Sequence, residues 1–195
     1  MYAGCAVGRT SLELSRSVEK VIGIDFSHSF IAAAQRLAQG ESLPYDRFDE
    51  GDVSTRLVAT APAGSHGARV QFEQGDACAL RADLGEFDLV VAANLICRLP
   101  DSRPFLKRVA ALVRAGGVLF LTTPFTWMEQ FTPKDKWLGG VYDADGKAVD
   151  SFAALQAALS EHFTLESTIE MPFFIREHAR KNQWSVAKGS FWVRK

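Results

Sequence analysis

The chain has 195 residues, 47% of them hydrophobic, which is enough for one globular domain with a substantial core. Its 22 basic and 23 acidic residues give a net charge of −1, which argues against electrostatic binding of nucleic acid or of an anionic membrane. No apolar run reaches the roughly 18 residues of a transmembrane helix, and the N-terminus lacks a basic-then-apolar signal pattern.

The three cysteines, Cys5, Cys78 and Cys97, are odd in number and lack the CxxC spacing of a metal site. This usage indicates neither a disulfide framework nor a zinc site. We therefore expect a cytoplasmic protein that binds no metal.

A glycine-rich turn opens the chain at residues 4–8, which read GCAVG. A helix is predicted over Thr10–Val18 and a buried strand over Lys20–Ile24, followed directly by Asp25. A glycine turn, a helix and a strand with an acid about 20 residues on are typical of a nucleotide-binding βαβ unit. Only three residues precede the turn, so the first strand is predicted to be largely missing. An N-terminal truncation is the favoured explanation; a misplaced start or a partner that supplies the strand are the alternatives.

The next segment combines a helix with an irregular region. Ser27 is predicted to cap the helix, which closes at Gly40. The predicted apolar stripe of this helix consists of Phe30, Ile31, Ala34 and Leu37. Tyr45–Gly67 has no clear period, and we expect a hairpin insertion within it.

The rest of the chain alternates between strands and helices. The predicted strands are Arg69–Glu73, Phe87–Ala93, Val118–Thr122, Phe163–Phe174 and Gln183–Val193. The predicted helices are Pro104–Val113 and Ser151–His162, and the predicted turns are Gly116-Gly117 and Arg176–Asn182. This order predicts an α/β fold in one domain over residues 1–195: a doubly wound, mostly parallel seven-stranded sheet with helices on both faces and a C-terminal antiparallel hairpin.

The glycine motif points to one kind of nucleotide. Gly4, Ala6 and Gly8 form a GxAxG pattern, which differs from the GxGxxG of dinucleotide sites. The pattern resembles the first motif of class I S-adenosylmethionine-dependent methyltransferases, usually GxGxG, although Tyr2 stands where that family commonly has an acid. Asp25, at the end of a strand, is suited to accept hydrogen bonds from both ribose hydroxyls.

The resemblance implies further contacts with the cofactor. Gly75-Asp76-Ala77-Cys78 looks like the family's adenine-contacting turn, and Asn94 follows the predicted strand Phe87–Ala93 where substrate-facing residues lie. A plain tight turn, a helix N-cap at Asp25 and an ordinary turn acid at Asp76 are the alternatives. The predicted cofactor-binding residues are Gly4, Cys5, Ala6, Gly8, Asp25, Phe26, Asp76, Ala77 and Asn94.

A narrower resemblance covers nearly the whole chain. The stretches GCAVGRTSLELS, VIGIDFSHSFI, GDACAL, AANLICRLP, TTPFTWMEQFTPKDKWLGG and PFFIREHARKNQW resemble the methyltransferase domain of ovothiol biosynthesis enzymes. The resemblance implies transfer of a methyl group from S-adenosylmethionine to an imidazole nitrogen of 4-mercaptohistidine, the last step of ovothiol A formation, with S-adenosylhomocysteine as product. It also implies a sulfoxide synthase, as a domain or a separate protein of the same pathway.

This chemistry needs positioning more than base catalysis. A neutral imidazole nitrogen has a free lone pair, because its pKa of about 6.5 leaves it largely unprotonated at neutral pH. Asn94 and His178 are the predicted catalytic residues: Asn94 near the reacting ring, and His178 bonding the ring or thiolate or removing the imidazolium proton. The predicted substrate-binding residues are Arg98, Trp127, Arg176 and Arg180, with Arg176 or Arg180 on the carboxylate.

Simpler interpretations exist for these residues. Arg98 could cap a chain reversal, Trp127 could be loop core, and Arg176–Lys181 could be a solvated turn. Two other functions are also compatible with the sequence: a methyltransferase acting on another small amino acid or thiol, and an inactive S-adenosylmethionine-binding module.

Overall fold

The structure, a computed structural model, describes residues 1–195. Its helices are short, and none of them is long and apolar enough to cross a membrane. The four α-helices are α1 (Arg9–Leu14), α2 (His28–Ala38), α3 (Arg103–Val109) and α4 (Ser151–Leu159). The eleven strands are β1 (Tyr2–Ala3), β2 (Val21–Asp25), β3 (Leu43–Glu50), β4 (Val53–Ala59), β5 (Val70–Gln74), β6 (Phe87–Ala93), β7 (Val113–Thr123), β8 (Val141–Tyr142), β9 (Ala148–Val149), β10 (Phe163–His178) and β11 (Lys181–Arg194).

The predicted fold class is confirmed. Seven strands form a mostly parallel sheet that ends in the antiparallel pair β10 and β11, while β3–β4 and β8–β9 are separate two-stranded ribbons. The chain divides into two compact units. The N-terminal unit comprises residues 2–74 and 172–186, and the C-terminal unit comprises residue 1, residues 75–171 and residues 187–195.

In the N-terminal unit, β2 lies between β1 and β5 and pairs with both in parallel. The two residues of β1 are in register with Gly23 and Ile24. The apolar side chains Leu12, Ile24 and Phe72 are almost fully buried, because each lies on an element packed against this sheet or within it. The glycine turn therefore rests on a packed core.

In the C-terminal unit, β7 pairs in parallel with β6 and antiparallel with β11. Strand β6 has the predicted bounds, and its residues Val90 and Ala92 are fully buried. Leu121 and Trp192 are also buried, as expected for neighbouring strands that are covered by other elements.

Helix α2 begins as predicted and packs with a narrower stripe than predicted. The Ser27 side chain accepts a hydrogen bond from the Phe30 backbone N–H, which is an N-cap. Ile31, Ala34 and Leu37 are buried, whereas Phe30 is 46% exposed. Phe30 lies in the first turn of the helix and is only about half covered, so its assignment to the buried stripe was wrong.

The predicted hairpin insertion is confirmed. Strands β3 and β4 pair antiparallel, from Leu43 with Ala59 to Glu50 with Val53. The insertion is mostly exposed, and Phe48, Val53 and Val58 keep about three fifths of their surface accessible, at 61%, 59% and 60%. This low burial explains why the segment shows no hydrophobic period in the sequence.

Three helices end earlier than predicted, at Leu14, Val109 and Leu159 instead of Val18, Val113 and His162. Local hydrogen bonds replace the last helical turn. The Ser15 hydroxyl donates to the Leu12 carbonyl at 2.6 Å, as short polar side chains do in competition with the helix.

Gly116-Gly117 were predicted to turn the chain into the strand Val118–Thr122. Both glycines lie within β7, but Gly116 has a φ of 71° and the continuous pairing with β6 begins at Val118, as predicted. Phe87 N–H donates to the Leu112 carbonyl at 2.8 Å, so the chain leaves α3 and enters the sheet at once. The β6–β7 register then shifts between the pairs Phe87–Val113 and Leu89–Val118. The glycines therefore accommodate an irregularity in a strand.

The last two strands are longer than predicted, and the turn between them is shorter. Strand β10 runs to His178 and β11 begins at Lys181, so Arg176 and His178 lie on a strand and not in the turn. Polar contacts between the strands extend the ladder: Glu177 forms an ion pair with Lys181 and accepts a hydrogen bond from Gln183. Sequence periodicity cannot detect a ladder that is held by exposed polar pairs.

Candidate active site

The glycine turn of the N-terminal unit has a strained, ordered backbone. Gly4, Ala6 and Gly8 all have positive φ, at 73°, 47° and 83°. The N–H groups of Gly4 and Cys5 both donate to the Ile24 carbonyl, at 2.8 and 3.0 Å. Ala6 is the one non-glycine of the three, and a left-handed alanine costs about 1–2 kcal/mol. The turn is therefore held in its conformation by β2, as pre-organised ligand loops are.

Asp25 links this turn to the end of β2. Its Oδ2 accepts a hydrogen bond from Ala6 N–H at 2.8 Å, and its Oδ1 accepts one from Ser27 N–H at 2.9 Å. The residue is half-buried. A carboxylate has about four acceptor positions, so each oxygen retains capacity for a further donor. Two adjacent hydroxyl groups, such as those of a ribose, could each donate a hydrogen bond to one of these oxygens.

Asp25 is not the N-cap of α2, because that role belongs to Ser27, whose hydroxyl accepts from Phe30 N–H at 3.3 Å. The carboxylate instead orients the turn and the start of the helix together. The alternative of a plain N-cap at Asp25 does not account for its bond to Ala6.

Gly8 closes the turn where a side chain has no room. A Cβ at Gly8 would lie 2.4 Å from Cζ of Phe72, and one at Gly23 would lie 2.7 Å from the same ring. Phe72 is 5% exposed and cannot move aside easily. The absence of side chains at Gly8 and Gly23 therefore lets the turn lie directly on β2 and β5.

Cys5 is a buried, inert thiol within the turn. Burial, with a smaller contribution from Asp25, raises the pKa of Cys5 to about 12. Burial also raises the pKa of Tyr2. A thiol that stays protonated is a poor nucleophile, so Cys5 contributes packing and not covalent chemistry.

Phe26 follows Asp25 and is 71% exposed. Its carbonyl accepts a hydrogen bond from the Gln74 side chain at 3.1 Å, which fixes the backbone at this position. Phe26 is a predicted cofactor-binding residue, and its exposed ring is available to contact a planar ligand group.

In the C-terminal unit, Asp76 and Ala77 form a tight turn after β5. Asp76 Oδ1 accepts a hydrogen bond from Cys78 N–H at 2.8 Å and so caps the 3-10 helix Ala77–Ala79. Ala77 is buried, and Cys78 Sγ contacts the Asp101 carbonyl at 3.3 Å. The second carboxylate oxygen of Asp76 gives the turn an acceptor for an exocyclic amine.

Asn94 occupies a strained position directly after β6. Its φ is 53°, and its backbone N–H donates to the Thr122 carbonyl at 2.8 Å. The Thr122 hydroxyl donates to Asn94 Oδ1 at 3.1 Å. Thr122 of the neighbouring strand therefore fixes both the backbone and the side-chain amide of Asn94. Because the amide oxygen is bound to the Thr122 hydroxyl, the orientation of the amide NH₂ group is fixed as well. Strained non-glycine residues at strand ends are typical of functional sites.

Arg98 braces the loop that follows β7. Its guanidinium donates to the Thr126 carbonyl at 3.0 Å and lies 4.6 Å from the centre of the Phe131 ring. These contacts are structural, although the side chain is exposed and has five N–H donors to share.

Trp127 is anchored in the same loop. Its indole N–H donates to the buried Ser151 hydroxyl at 3.0 Å, and its ring stacks on Trp137 with centroids 6.5 Å apart. Phe125, two residues before it, has a φ of 51° and is held by the Thr123 hydroxyl at 3.0 Å. The loop is therefore rigid where it leaves the sheet.

A cavity of about 430 Å³ opens beside this loop. We call it the Lys188 cavity; Phe125, Gly140, residues 148–152 and Lys188 line it. The sequence interpretation missed Ser151, Phe152 and Lys188. The sequence did contain one indication of this site. Lys188 is a charged residue between the small residues Ala187 and Gly189, in a strand whose neighbouring positions are buried.

Arg176, His178 and Arg180 lie near the tip of the β10–β11 hairpin, in the N-terminal unit. Both arginines are exposed, and His178 Nδ1 accepts a hydrogen bond from Arg180 N–H at 3.2 Å. The Ala179 N–H donates to the Phe48 carbonyl of the hairpin insertion at 2.8 Å. The structure thus brings these three residues next to β3. Their roles toward a substrate stay predictions.

No group of three or more His, Cys, Asp or Glu side chains is arranged to hold a metal ion. Beside the glycine turn, the Asp25 carboxylate accepts hydrogen bonds from two backbone N–H groups and retains acceptor capacity, which suits an organic ligand that carries hydroxyl donors.

The family comparison matches the part of the chain that contains the turn. A family model described as "Methyltransferase domain" matches residues 1–121. Among solved structures, a SAM-dependent methyltransferase from Methanosarcina mazei has a TM-score of 0.63 at 17% identity, over 100% of this chain and 90% of that one. The magnesium protoporphyrin IX methyltransferase of Synechocystis, solved with bound SAM, has a TM-score of 0.59 at 17% identity, over 100% of this chain and 68% of that one. These two similarities establish the fold.

A curated relative has a more specific name. The ubiquinone biosynthesis O-methyltransferase of Coxiella burnetii is 26% identical over 120 residues, which are 62% of this chain and 41% of the relative. The chain thus spans about two fifths of that relative's length. The family match over residues 1–121 contains the glycine turn and Asp25.

Proposed function

This chain belongs to the methyltransferase-domain family, and from that premise we propose that it transfers a methyl group from S-adenosylmethionine to an imidazole nitrogen of 4-mercaptohistidine. One observation carries the donor half of the proposal: the Asp25 carboxylate, held by Ala6 N–H and Ser27 N–H beside the glycine turn. The acceptor half rests on the resemblance of residues 126–140 and 175–184 to ovothiol biosynthesis enzymes.

Residues of the turn would hold the donor by its sugar and its methionine part. Asp25 accepts hydrogen bonds from the ribose hydroxyls with the acceptor capacity that its two backbone bonds leave over. Gly4 has no side chain, so the turn backbone can approach the ligand closely there, while Gly8 lets the turn lie on the core. When bound, S-adenosylmethionine supplies an electrophilic methyl group on a positively charged sulfur.

The protein's contribution to the transfer is positioning. A neutral imidazole nitrogen needs no general base before it attacks. Holding two reacting atoms about 3–3.5 Å apart on the correct axis contributes up to about 7–11 kcal/mol. Asn94 is suited to orient the ring, because Thr122 fixes its amide at 3.1 Å. Trp127 is suited to form a wall, because Ser151 and Trp137 hold it in place.

The sequence interpretation gives Arg98, Arg176 and Arg180 as substrate-binding cations, with Arg176 or Arg180 on the acceptor's carboxylate and His178 available to bond the ring or thiolate or to take the imidazolium proton after transfer. Arg176 and Arg180 are exposed and form no ion pair, so their charges are available to a ligand. The proposed partner in the same pathway is a sulfoxide synthase, as another domain or as a separate protein, which attaches cysteine sulfur to histidine.

A second acceptor chemistry has one observation in its favour. The curated relative is named as an O-methyltransferase, at 26% identity. A methyltransferase of the same fold could therefore methylate oxygen, or the sulfur of an amino-acid thiol. A third possibility is a module that binds the donor without turnover, for which Tyr2 in place of an acid is the observation.

Product analysis separates these functions. The protein is incubated with S-adenosylmethionine carrying a ¹³C-labelled methyl group and with 4-mercaptohistidine, and parallel reactions contain histidine or a catechol. The ¹³C chemical shift of the product identifies the atom that carries the methyl group. We expect N-methylation of 4-mercaptohistidine and slow or no reaction with the other two acceptors. Label on sulfur, or label only on the catechol, would replace the proposed acceptor; donor binding without any labelled product would indicate the inactive module.

A further inference from the structure

The Lys188 cavity combines a cation, an anion and two aromatic rings around one open cleft of the C-terminal unit. Lys188 lies on β11, opposite Thr123, the last residue of β7. Phe125 follows two residues after that strand end. The cavity therefore lies at the carboxyl end of a parallel strand, which is the edge where open α/β sheets bind ligands.

Lys188 is the cation of the cavity. Its side chain is 33% exposed, and its ammonium lies 5.4 Å from the centre of the Phe152 ring. It forms an ion pair with Glu170, whose side chain is 60% exposed. An ion pair with so exposed a partner contributes little to stability. An ammonium has three donors, so Lys188 can bind a ligand carboxylate in addition to Glu170 or in place of it.

Asp150 is the anion of the cavity. Its Oδ1 accepts a hydrogen bond from Ala153 N–H at 2.7 Å and caps α4. That bond orients the carboxylate and leaves its other oxygen available. A ligand ammonium is the complementary group, because it donates hydrogen bonds and carries the opposite charge.

Two aromatic rings complete the wall. Phe125 and Phe152 lie edge to face, with centroids 6.4 Å apart and planes at 68°. The left-handed backbone of Phe125, with φ 51°, is fixed by Thr123. A rigid corner of two rings suits a planar heterocycle. The Thr123 hydroxyl fixes the backbone of Phe125, so this side of the corner is formed by contacts within the protein.

We propose that the Lys188 cavity binds a zwitterionic amino acid with a planar ring: Lys188 takes the carboxylate, Asp150 the ammonium, and Phe125 with Phe152 the heterocycle. As an acceptor site, this assignment rests on the proposed function and deepens it. It differs from the sequence interpretation, which places Arg176 or Arg180 on the carboxylate.

The first experiment measures steady-state kinetics with 4-mercaptohistidine. Lys188→Met removes the charge and keeps most of the side-chain volume, and Lys136→Met is the matched control, since Lys136 also pairs with an acid but lies outside the cavity. We expect Lys188→Met to raise KM about 10- to 100-fold, as the loss of a charge-assisted hydrogen bond does. The dissociation constant of S-adenosylhomocysteine should stay the same. An unchanged KM in Lys188→Met would overturn the proposal.

Glu170→Gln distinguishes a ligand site from a structural ion pair. If the pair only stabilises the hairpin, Glu170→Gln and Lys188→Met should impair the protein equally. If Lys188 binds the carboxylate, Glu170→Gln should leave KM unchanged or lower it, because the competing anion is gone. Equal impairment by both variants would contradict the proposal.

Acceptor analogues test each charge separately. The decarboxylated acceptor, a mercapto-histamine, should react equally with wild type and Lys188→Met. The deaminated acceptor should react equally with wild type and Asp150→Asn, a change that keeps an N-cap residue at α4. A Lys188→Met defect that persists with the decarboxylated analogue would show that Lys188 does not bind the carboxylate.

Binding of L-histidine without donor separates this proposal from the proposed function. Ligand-observed saturation-transfer NMR should give ring-proton transfer with wild type and Lys136→Met, and none with Lys188→Met. If histidine binds in this manner but no acceptor is methylated, the methyltransfer proposal fails and the cavity assignment holds. If 4-mercaptohistidine is methylated while Lys188→Met binds histidine as wild type does, the cavity assignment fails alone.

Discussion

The two regions to which we assign ligands are built in different ways. The donor region of the N-terminal unit uses backbone groups of residues 4–8 and the carboxylate of Asp25, all within one βαβ segment. The Lys188 cavity of the C-terminal unit uses side chains from segments as distant as residues 125 and 188. A site shaped by a backbone turn is specified by chain geometry, whereas a site lined by side chains is specified by residue identity. The acceptor can therefore be changed by substitution with little effect on the donor region.

The largest expected effect concerns the geometry of the donor turn. Gly8→Ala would place a Cβ 2.4 Å from the Phe72 ring at a φ of 83°. We expect a loss of about 2–5 kcal/mol in the free energy of unfolding, from left-handed strain of about 1–2 and overpacking of about 1–3. Urea denaturation measures it.

Gly40→Ala is the matched control for this change. Gly40 has a similar φ of 85°, but no atom lies within 4 Å of its Cβ position. Gly40→Ala should lower the free energy of unfolding only by the cost of the left-handed backbone, about 1–2 kcal/mol. Equal losses in the two variants would mean that contact with Phe72 is unimportant to the turn.

The next largest effect concerns Asp25, the charged side chain that we propose binds the methyl donor. Asp25→Ala should weaken S-adenosylhomocysteine binding about 10- to 100-fold, since hydrogen bonds to a charged group contribute about 1.5–3 kcal/mol. Asp46→Ala removes another acid of the same unit, one that pairs with Arg56 on the surface. Calorimetric titration with S-adenosylhomocysteine should show weaker binding by Asp25→Ala and unchanged binding by Asp46→Ala. Unchanged affinity in Asp25→Ala would show that Asp25 does not bind the ribose.

A pH effect follows from the buried thiol of the donor turn. The pKa of Cys5 is raised from 9.0 to about 12, so the unfolded chain loses this proton at lower pH than the folded protein does. Above pH 9 the unfolded state therefore binds fewer protons, and stability falls as pH rises. The loss attributable to Cys5 should approach about 1.4 kcal/mol per pH unit. Unfolding at pH 8 and 10 should show a smaller loss in Cys5→Ala; identical losses would contradict the assignment.

The smallest effect concerns the loop beside the Lys188 cavity. Trp127→Phe removes the donor to Ser151 and should cost about 1 kcal/mol of unfolding free energy, the usual net value of one hydrogen bond. In a double-mutant cycle with Ser151→Ala, the two losses should be less than additive. The affinity for S-adenosylhomocysteine should stay unchanged. Weaker binding of S-adenosylhomocysteine by Trp127→Phe would show that the two regions are not independent.

The donor region was more predictable from sequence than the cavity, for a physical reason. The turn, Asp25 and the Ser27 cap depend on short-range spacing, which a sequence displays directly. Strand β6 was also predicted at its observed bounds, because it is an uninterrupted apolar run between polar turns. Lys188 and Phe152 come together only through tertiary packing, so no local pattern contains their pairing.

Errors at the hairpin tip and in α2 have the same origin. Arg176 and His178 lie on β10 because cross-strand pairs around Glu177 extend the ladder, an interaction between residues on two strands. Phe30 has the spacing of the stripe in α2, but neighbouring elements leave 46% of it exposed. Periodicity reports what a face could bury, and packing decides what it does bury.

A crystal structure with S-adenosylhomocysteine tests the central claim most directly. We predict that both ribose hydroxyls lie within hydrogen-bond distance, about 2.5–3.0 Å, of the Asp25 carboxylate oxygens while Ala6 N–H keeps its bond to Oδ2. A ribose bound elsewhere, with the carboxylate of Asp25 contacting only its own backbone, would contradict the account.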